Sequence, residues 1–207
     1  MPPITENIGR GGQVLHDSLV RGLALTRIPP NFLTFFGLVG NAGAAVAFGY
    51  GEFFWAGLII LGAAIFDLSD GPVARITNRV SPFGGFFDSV IDRYSDLALY
   101  FGLLVYYARV NRFFYVVLTA LAMTGSVMVS YVRARAESLI GSCKVGFLER
   151  PERIVLLIIG ALFDRMAPVL WVIATISNIT VIHRIVYTRQ VTRDRAASAE
   201  SSSSTAR

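Results

Sequence analysis

The sequence predicts an all-α, polytopic membrane protein: six transmembrane helices preceded by an amphipathic helix in the membrane interface. Three observations predict it. The 207 residues are 54% hydrophobic and only 16% charged, whereas soluble domains carry about a quarter charged residues. Mean hydropathy is +0.56. Apolar runs recur along the chain between short, arginine-rich connections, and most reach the ~20 residues that a helix needs to cross a bilayer.

Residues 1–12 are polar and glycine-rich and are expected to be loose. The first thirty residues lack the compact apolar stretch of a secretory signal and contain Arg10, Asp17 and Arg21. From 13 to 28, Leu15, Leu19 and Leu23 recur every four residues beside Asp17 and Arg21. That is the pattern of an interfacial amphipathic helix, and equally of a surface helix packed on the bundle. Pro29-Pro30 ends it, and Asn31 can cap the next helix. Residues 29–190 form the membrane domain, with apolar segments at roughly 32–50, 53–77, 83–108, 112–138, 151–164 and 167–188. The fifth is short and is expected to begin within Glu149-Arg150-Pro151-Glu152. Residues 191–207, with serine from Ser201 to Ser204, read as a disordered tail.

Net charge is +5, and the positive residues lie mainly between the apolar runs. Topology, anionic lipid and phosphate ligands account for that distribution better than nucleic acid. Arg79, Arg133, Arg135, Lys144, Arg150, Arg153, Arg189, Arg193 and Arg195 fall on one side of a six-span chain. The other side has Glu52, Arg109, Arg112 and Arg165. The positive-inside rule places the first side, with both termini, in the cytoplasm. The single cysteine, Cys143, excludes an intramolecular disulfide.

The chemistry concentrates between two apolar runs. Asp67 and Asp70 end one; Asp88 and Asp92 open the next. Residues three or four apart share a helix face, so each pair projects in one direction. If the helices fold back about a turn near Val80, Asp67 meets Asp92 in depth and Asp70 meets Asp88. Ionised carboxylates in an apolar setting need a cation or a task, and one or two hard divalent ions suit such a box. A proton- or metal-coupled transporter could use the same acids. Gly71 leaves room for a ligand close to the backbone, Pro72 loosens the helix end, and Arg75 can bond a phosphate.

Asp67, Asp70, Gly71, Ala74, Arg75, Gly84, Asp88 and Asp92 fill the pattern D-x2-D-G-x2-A-R-x8-G-x3-D-x3-D. It resembles the signature of the CDP-alcohol phosphotransferases, integral membrane enzymes of phospholipid synthesis. The resemblance implies transfer of a phosphatidyl group from CDP-diacylglycerol to an alcohol, with release of CMP. It implies two Mg²⁺ or Mn²⁺ ions on Asp67, Asp70 and Asp88, with Asp92 beside the second ion as the proton acceptor. It assigns Gly71, Arg75 and Ser81, with Asn31 and Thr34, to the CDP-lipid. It also implies a homodimer in a bacterial or archaeal cell membrane, with a cytoplasmic active site. Asp96 lies outside the signature and reads as support for Arg93 or Arg75, or for another polar group.

For the acceptor, Arg133 and Glu137 are i/i+4 partners, and Arg150 and Arg153 lie one turn apart. Converging on the carboxylates, these arginines would bind a phosphate, with Glu137, Glu149 and Glu152 fixing their rotamers. A basic cytoplasmic connection would look the same for topological reasons. The two stretches resemble the branch of the family that acts on inositol phosphate, in which Arg133 and Arg153 match residues associated with the acceptor phosphate. Glycerol 3-phosphate, as in a phosphatidylglycerophosphate synthase, needs a similar pocket and remains the alternative.

Overall fold

The computed structural model describes residues 29–205; the expected loose N-terminus and interfacial helix lie outside them. Among the described residues the chain forms six helices and no strand: α1 (Pro30–Tyr50), α2 (Phe53–Ile76), α3 (Pro82–Arg109), α4 (Phe113–Ile140), α5 (Arg150–Leu162) and α6 (Met166–Thr205). Pro30 occupies the first turn of α1, where its missing N–H costs nothing. The helix therefore starts at the proline, and Asn31 lies within the first turn instead of capping it.

The packing pairs are α1 with α3, α3 with α4, α4 with α6, α6 with α5, α5 with α2, and α2 with α1. They close a ring. Its interior holds an apolar core that includes Phe48, Ile60, Leu99, Leu103, Leu157, Leu170 and Ile173. Small residues set the helix spacing: a Cβ on Gly102 would stand 2.2 Å from the Ala45 carbonyl oxygen, and one on Gly40 would stand 3.0 Å from the Ala63 Cβ. Close backbone approach of this kind is how helices associate where hydrocarbon, not water, surrounds them. Large apolar side chains such as Phe35, Trp55, Phe101, Trp171 and Ile182 cover the outside. In water such a surface would be unstable; in a bilayer it is the solvent-matched face.

Among the described residues, four helices are long and apolar enough to cross a membrane: Asn31–Tyr50, Phe53–Ile76, Phe113–Ile140 and Met166–Arg195. The other two fall outside that set for physical reasons. α3 has 28 residues, but Asp88, Asp92, Arg93 and Asp96 lower its hydropathy. α5 has 13 residues, roughly 20 Å of helix at 1.5 Å per residue, which is shorter than a hydrocarbon core.

The C-terminal helix also runs past residue 190, where the tail was expected to begin, and continues to Thr205. Val191 packs near Ala136, Ile140 and Cys143. Arg195 Nη2 donates to the Ile140 carbonyl at 2.7 Å, which caps the end of α4. These two contacts anchor residues 191–195 on the bundle.

Candidate active site

The carboxylates stand where α2 ends and α3 begins. Ser81 caps α3: its Oγ accepts the Gly84 N–H at 3.0 Å. The connection between the helices turns through Asn78, at φ 54°, a left-handed position that asparagine tolerates better than most residues. With the chain folded back, Asp67 and Asp92 share one partner, the Arg150 guanidinium. Nη2 reaches Asp67 Oδ2 and Nη1 reaches Asp92 Oδ1, both at 2.9 Å. Asp70 and Asp88 line one cavity together. The pairs fall in depth as the antiparallel return requires.

Each acid has a different environment. Asp70 is buried; it accepts the Thr34 hydroxyl at 2.6 Å and the Gly71 N–H at 2.5 Å. Asp67 is admitted by Gly37, where a Cβ would come within 1.9 Å of Asp67 Oδ1. Asp88 faces Asp67, Asp70 and Asp92 electrostatically and takes no hydrogen bond or ion pair among the described residues. Arg150 is the shared counter-charge. It also reaches Asp96 Oδ1 at 3.2 Å, and its side chain is 22% exposed.

The donor set suits a hard divalent cation: four carboxylates from two helix ends, one of them without a bonded partner. Yet among the described residues no three of them are arranged to hold one ion. The Arg150 guanidinium reaches between them instead. Buried acids need nearby positive charge, and Arg150 supplies it from the first turn of α5.

Two cavities flank this cluster. The smaller, about 200 Å³, is lined by Asn31, Thr34, Gly71, Arg75 and Ser81, together with Asp70, Gly84 and Asp88. All five residues expected at the CDP-lipid therefore meet in one place. A Cβ on Gly71 would meet nothing within 4 Å, so the space beside it is open.

The larger cavity, about 380 Å³, has Asp92, Arg93, Arg133, Glu149, Arg150 and Arg184 on its walls. Arg133 Nε donates to Glu137 at 3.1 Å and Nη1 to Glu149 at 2.5 Å. Glu137 and Glu149 thus fix an arginine, as the sequence suggested. Glu152 does not: it accepts the Glu149 backbone N–H and caps α5.

Arg153, expected on the acceptor phosphate, is 1% exposed and is not among the walls of this cavity. Its Nη2 holds Asp96 Oδ2 and its Nη1 holds the Leu148 carbonyl, each at 3.0 Å. Asp96 in turn supports Arg150 and Arg153, not Arg93 or Arg75. Arg184 stands on the cavity wall instead. It is 1% exposed and donates to the carbonyls of Val145 and Val129 and to Glu149. Sequence reasoning missed it, although an arginine deep in the apolar run 167–188 is itself a signal of function.

Residues 27–186 match the family model described as CDP-alcohol phosphatidyltransferase. The chain is 39% identical over 164 residues to the archaetidylinositol phosphate synthase of Pyrococcus horikoshii, covering 79% of this chain and 85% of that protein. It is 35% identical over 194 residues to the phosphatidylinositol phosphate synthase of Streptomyces avermitilis, covering 85% and 79%. Among solved structures, the Mycobacterium tuberculosis phosphatidylinositol phosphate synthase with CDP-DAG bound aligns with a TM-score of 0.76 at 29% identity, covering 84% of this chain and 92% of that one. The same enzyme with manganese and citrate aligns with a TM-score of 0.74, covering 84% and 88%.

Proposed function

Because the chain belongs to the CDP-alcohol phosphatidyltransferase family, we propose that it moves the phosphatidyl group of CDP-diacylglycerol onto inositol phosphate and releases CMP. One observation carries the reading: two cavities, one holding Gly71, Arg75 and Ser81 and the other Arg133 and Arg184, meet at a single cluster of carboxylates. A two-substrate transfer needs that arrangement, because the reacting atoms must be held in line from opposite sides.

In this reading the smaller cavity receives the CDP part of the donor. Gly71 gives the ligand room against α2, and Arg75 bonds a phosphate. Ser81, Asn31 and Thr34 complete the walls, and Thr34 also orients Asp70. The basic cavity receives the acceptor. Arg133 and Arg184 bind its phosphate, held in place by Glu149, which both contact. Asp92 lies on this side and takes the proton from the attacking hydroxyl. Asp67, Asp70, Asp88 and Asp92 would hold two divalent ions, Mg²⁺ or Mn²⁺, which would supply charge neutralisation. Arg150 would then give up part of its hold on Asp67 and Asp92.

The protein is an integral membrane enzyme in which α3 and α5 join the four apolar helices as spans. The carboxylate end faces the cytoplasm, and the chain works as a homodimer. Glycerol 3-phosphate shares the phosphate but presents a smaller polyol. The names of the relatives favour inositol phosphate. Purified protein given CDP-diacylglycerol, a divalent metal and both acceptors in competition decides between them by mass spectrometry of the lipid product. Phosphatidylinositol phosphate as the main product is expected; phosphatidylglycerophosphate alone would overturn the acceptor assignment.

A further inference from the structure

We propose that a groove of about 590 Å³ between α4 and α6, outside the catalytic ring, seats one anionic phospholipid. Val132, Leu139 and Ile185 give it apolar walls, and Arg135, Arg189 and Arg193 stand around it. Leu139 and Ile185 are 57% and 54% exposed, so the apolar surface is open to a ligand. Arg189 and Arg193 lie one turn apart on α6 and face Arg135 across the groove.

Among the described residues the charge on this face is unmatched. Arg133, Arg184 and Arg195, on the same two helices, are all bonded within the protein. Arg135, Arg189 and Arg193 form no ion pair among the described residues. Three guanidiniums beside a hydrocarbon wall complement a ligand that is anionic at one end and apolar at the other. A soluble phosphate would use the arginines but leave the apolar walls bare to water. The groove's depth agrees with a lipid. It sits at the ends of two helices long and apolar enough to span a membrane, where headgroups lie. Arg133 and Arg184 reach the inner basic cavity from the same helices. A lipid seated here therefore bridges, from outside, the two elements that carry those arginines.

The site is independent of the acceptor's identity, so its test uses no turnover. The full chain is placed in nanodiscs of phosphatidylcholine alone or phosphatidylcholine with phosphatidylglycerol. Lipid retained on the protein is then weighed by native mass spectrometry after transfer to detergent, and unfolding temperature is recorded in both discs. Each basic residue near an anionic headgroup is worth about a fivefold factor in binding. The triple substitution R135Q/R189Q/R193Q is thus expected to cut phosphatidylglycerol retention on the order of a hundredfold and to abolish the rise in unfolding temperature. R135K/R189K/R193K should keep both. Should the triple glutamine protein not fold, the three single substitutions serve, each with about a fivefold loss. Retention by the glutamine variants equal to that of the unaltered chain would overturn the proposal, as would an unaltered chain that holds no phosphatidylglycerol.

Discussion

The two cavities beside the carboxylates select by different means. The smaller sets an open position at Gly71 beside Arg75 and Arg79, so it offers room close to the backbone as well as charge. The larger is built from arginines locked by glutamates and carbonyls, so it recognises charge. Ser81 caps the helix start beside that cavity, and Gly37 leaves room for Asp67 on the neighbouring helix. Charge selection requires guanidiniums that cannot fold away onto the acids, and the bonds to Glu149, Val129 and Val145 provide that. Between them stands Arg150, a cation shared by both halves of the carboxylate cluster.

The largest expected effect lies where the cavities meet. Asp92→Asn should lower turnover by about 10²–10⁴-fold, the usual span for a lost general base. CDP-lipid binding, measured by equilibrium dialysis, should stay near its original value. A fall in binding equal to the fall in rate would move Asp92 out of the role of base.

Removal of Arg150 comes next. It pairs Asp67, Asp92 and Asp96 with its side chain only 22% exposed, and breaking a buried pair leaves acids uncompensated at about 3–5 kcal/mol. Arg150→Met should unfold earlier in a thermal scan without divalent metal and be stabilised more than the unaltered chain when Mn²⁺ is added. Identical metal dependence in both would separate Arg150 from the metal-binding acids. Arg153→Ala should cost about 3 kcal/mol, at the low end of that range because Arg150 still faces Asp96. Its acceptor KM should change less than that of Arg133→Gln. The opposite order would restore Arg153 to the acceptor.

The smaller cavity was legible in the sequence and the larger only in part. Asp67 through Asp92 lie on two consecutive helices, so spacing within one stretch defines one wall almost completely. The basic cavity draws Arg93 from α3, Arg133 from α4, Arg150 from α5 and Arg184 from α6. No local spacing relates those four. Arg153 lies one helical turn from Arg150, and only packing reveals that it points inward to Asp96. Four of the helical segments were legible because each is long and apolar. The length of α5 and the polarity of α3 limited the reading of spans, and the docking of Val191 and Arg195 beneath α4 lay beyond any pattern in the tail.

Two single substitutions, taken through full two-substrate kinetics, test the division of labour most directly. Gly71→Ala projects a methyl into open space, so folding should be unaffected while the KM for CDP-diacylglycerol rises several-fold, the cost of a small group displacing ligand at roughly 1 kcal/mol. Arg133→Gln should raise the KM for inositol phosphate by about tenfold or more, the worth of a charge-assisted hydrogen bond, and leave the donor KM alone. That crossed pattern is the result the two-cavity account predicts. Both substitutions raising both KM values alike would contradict it.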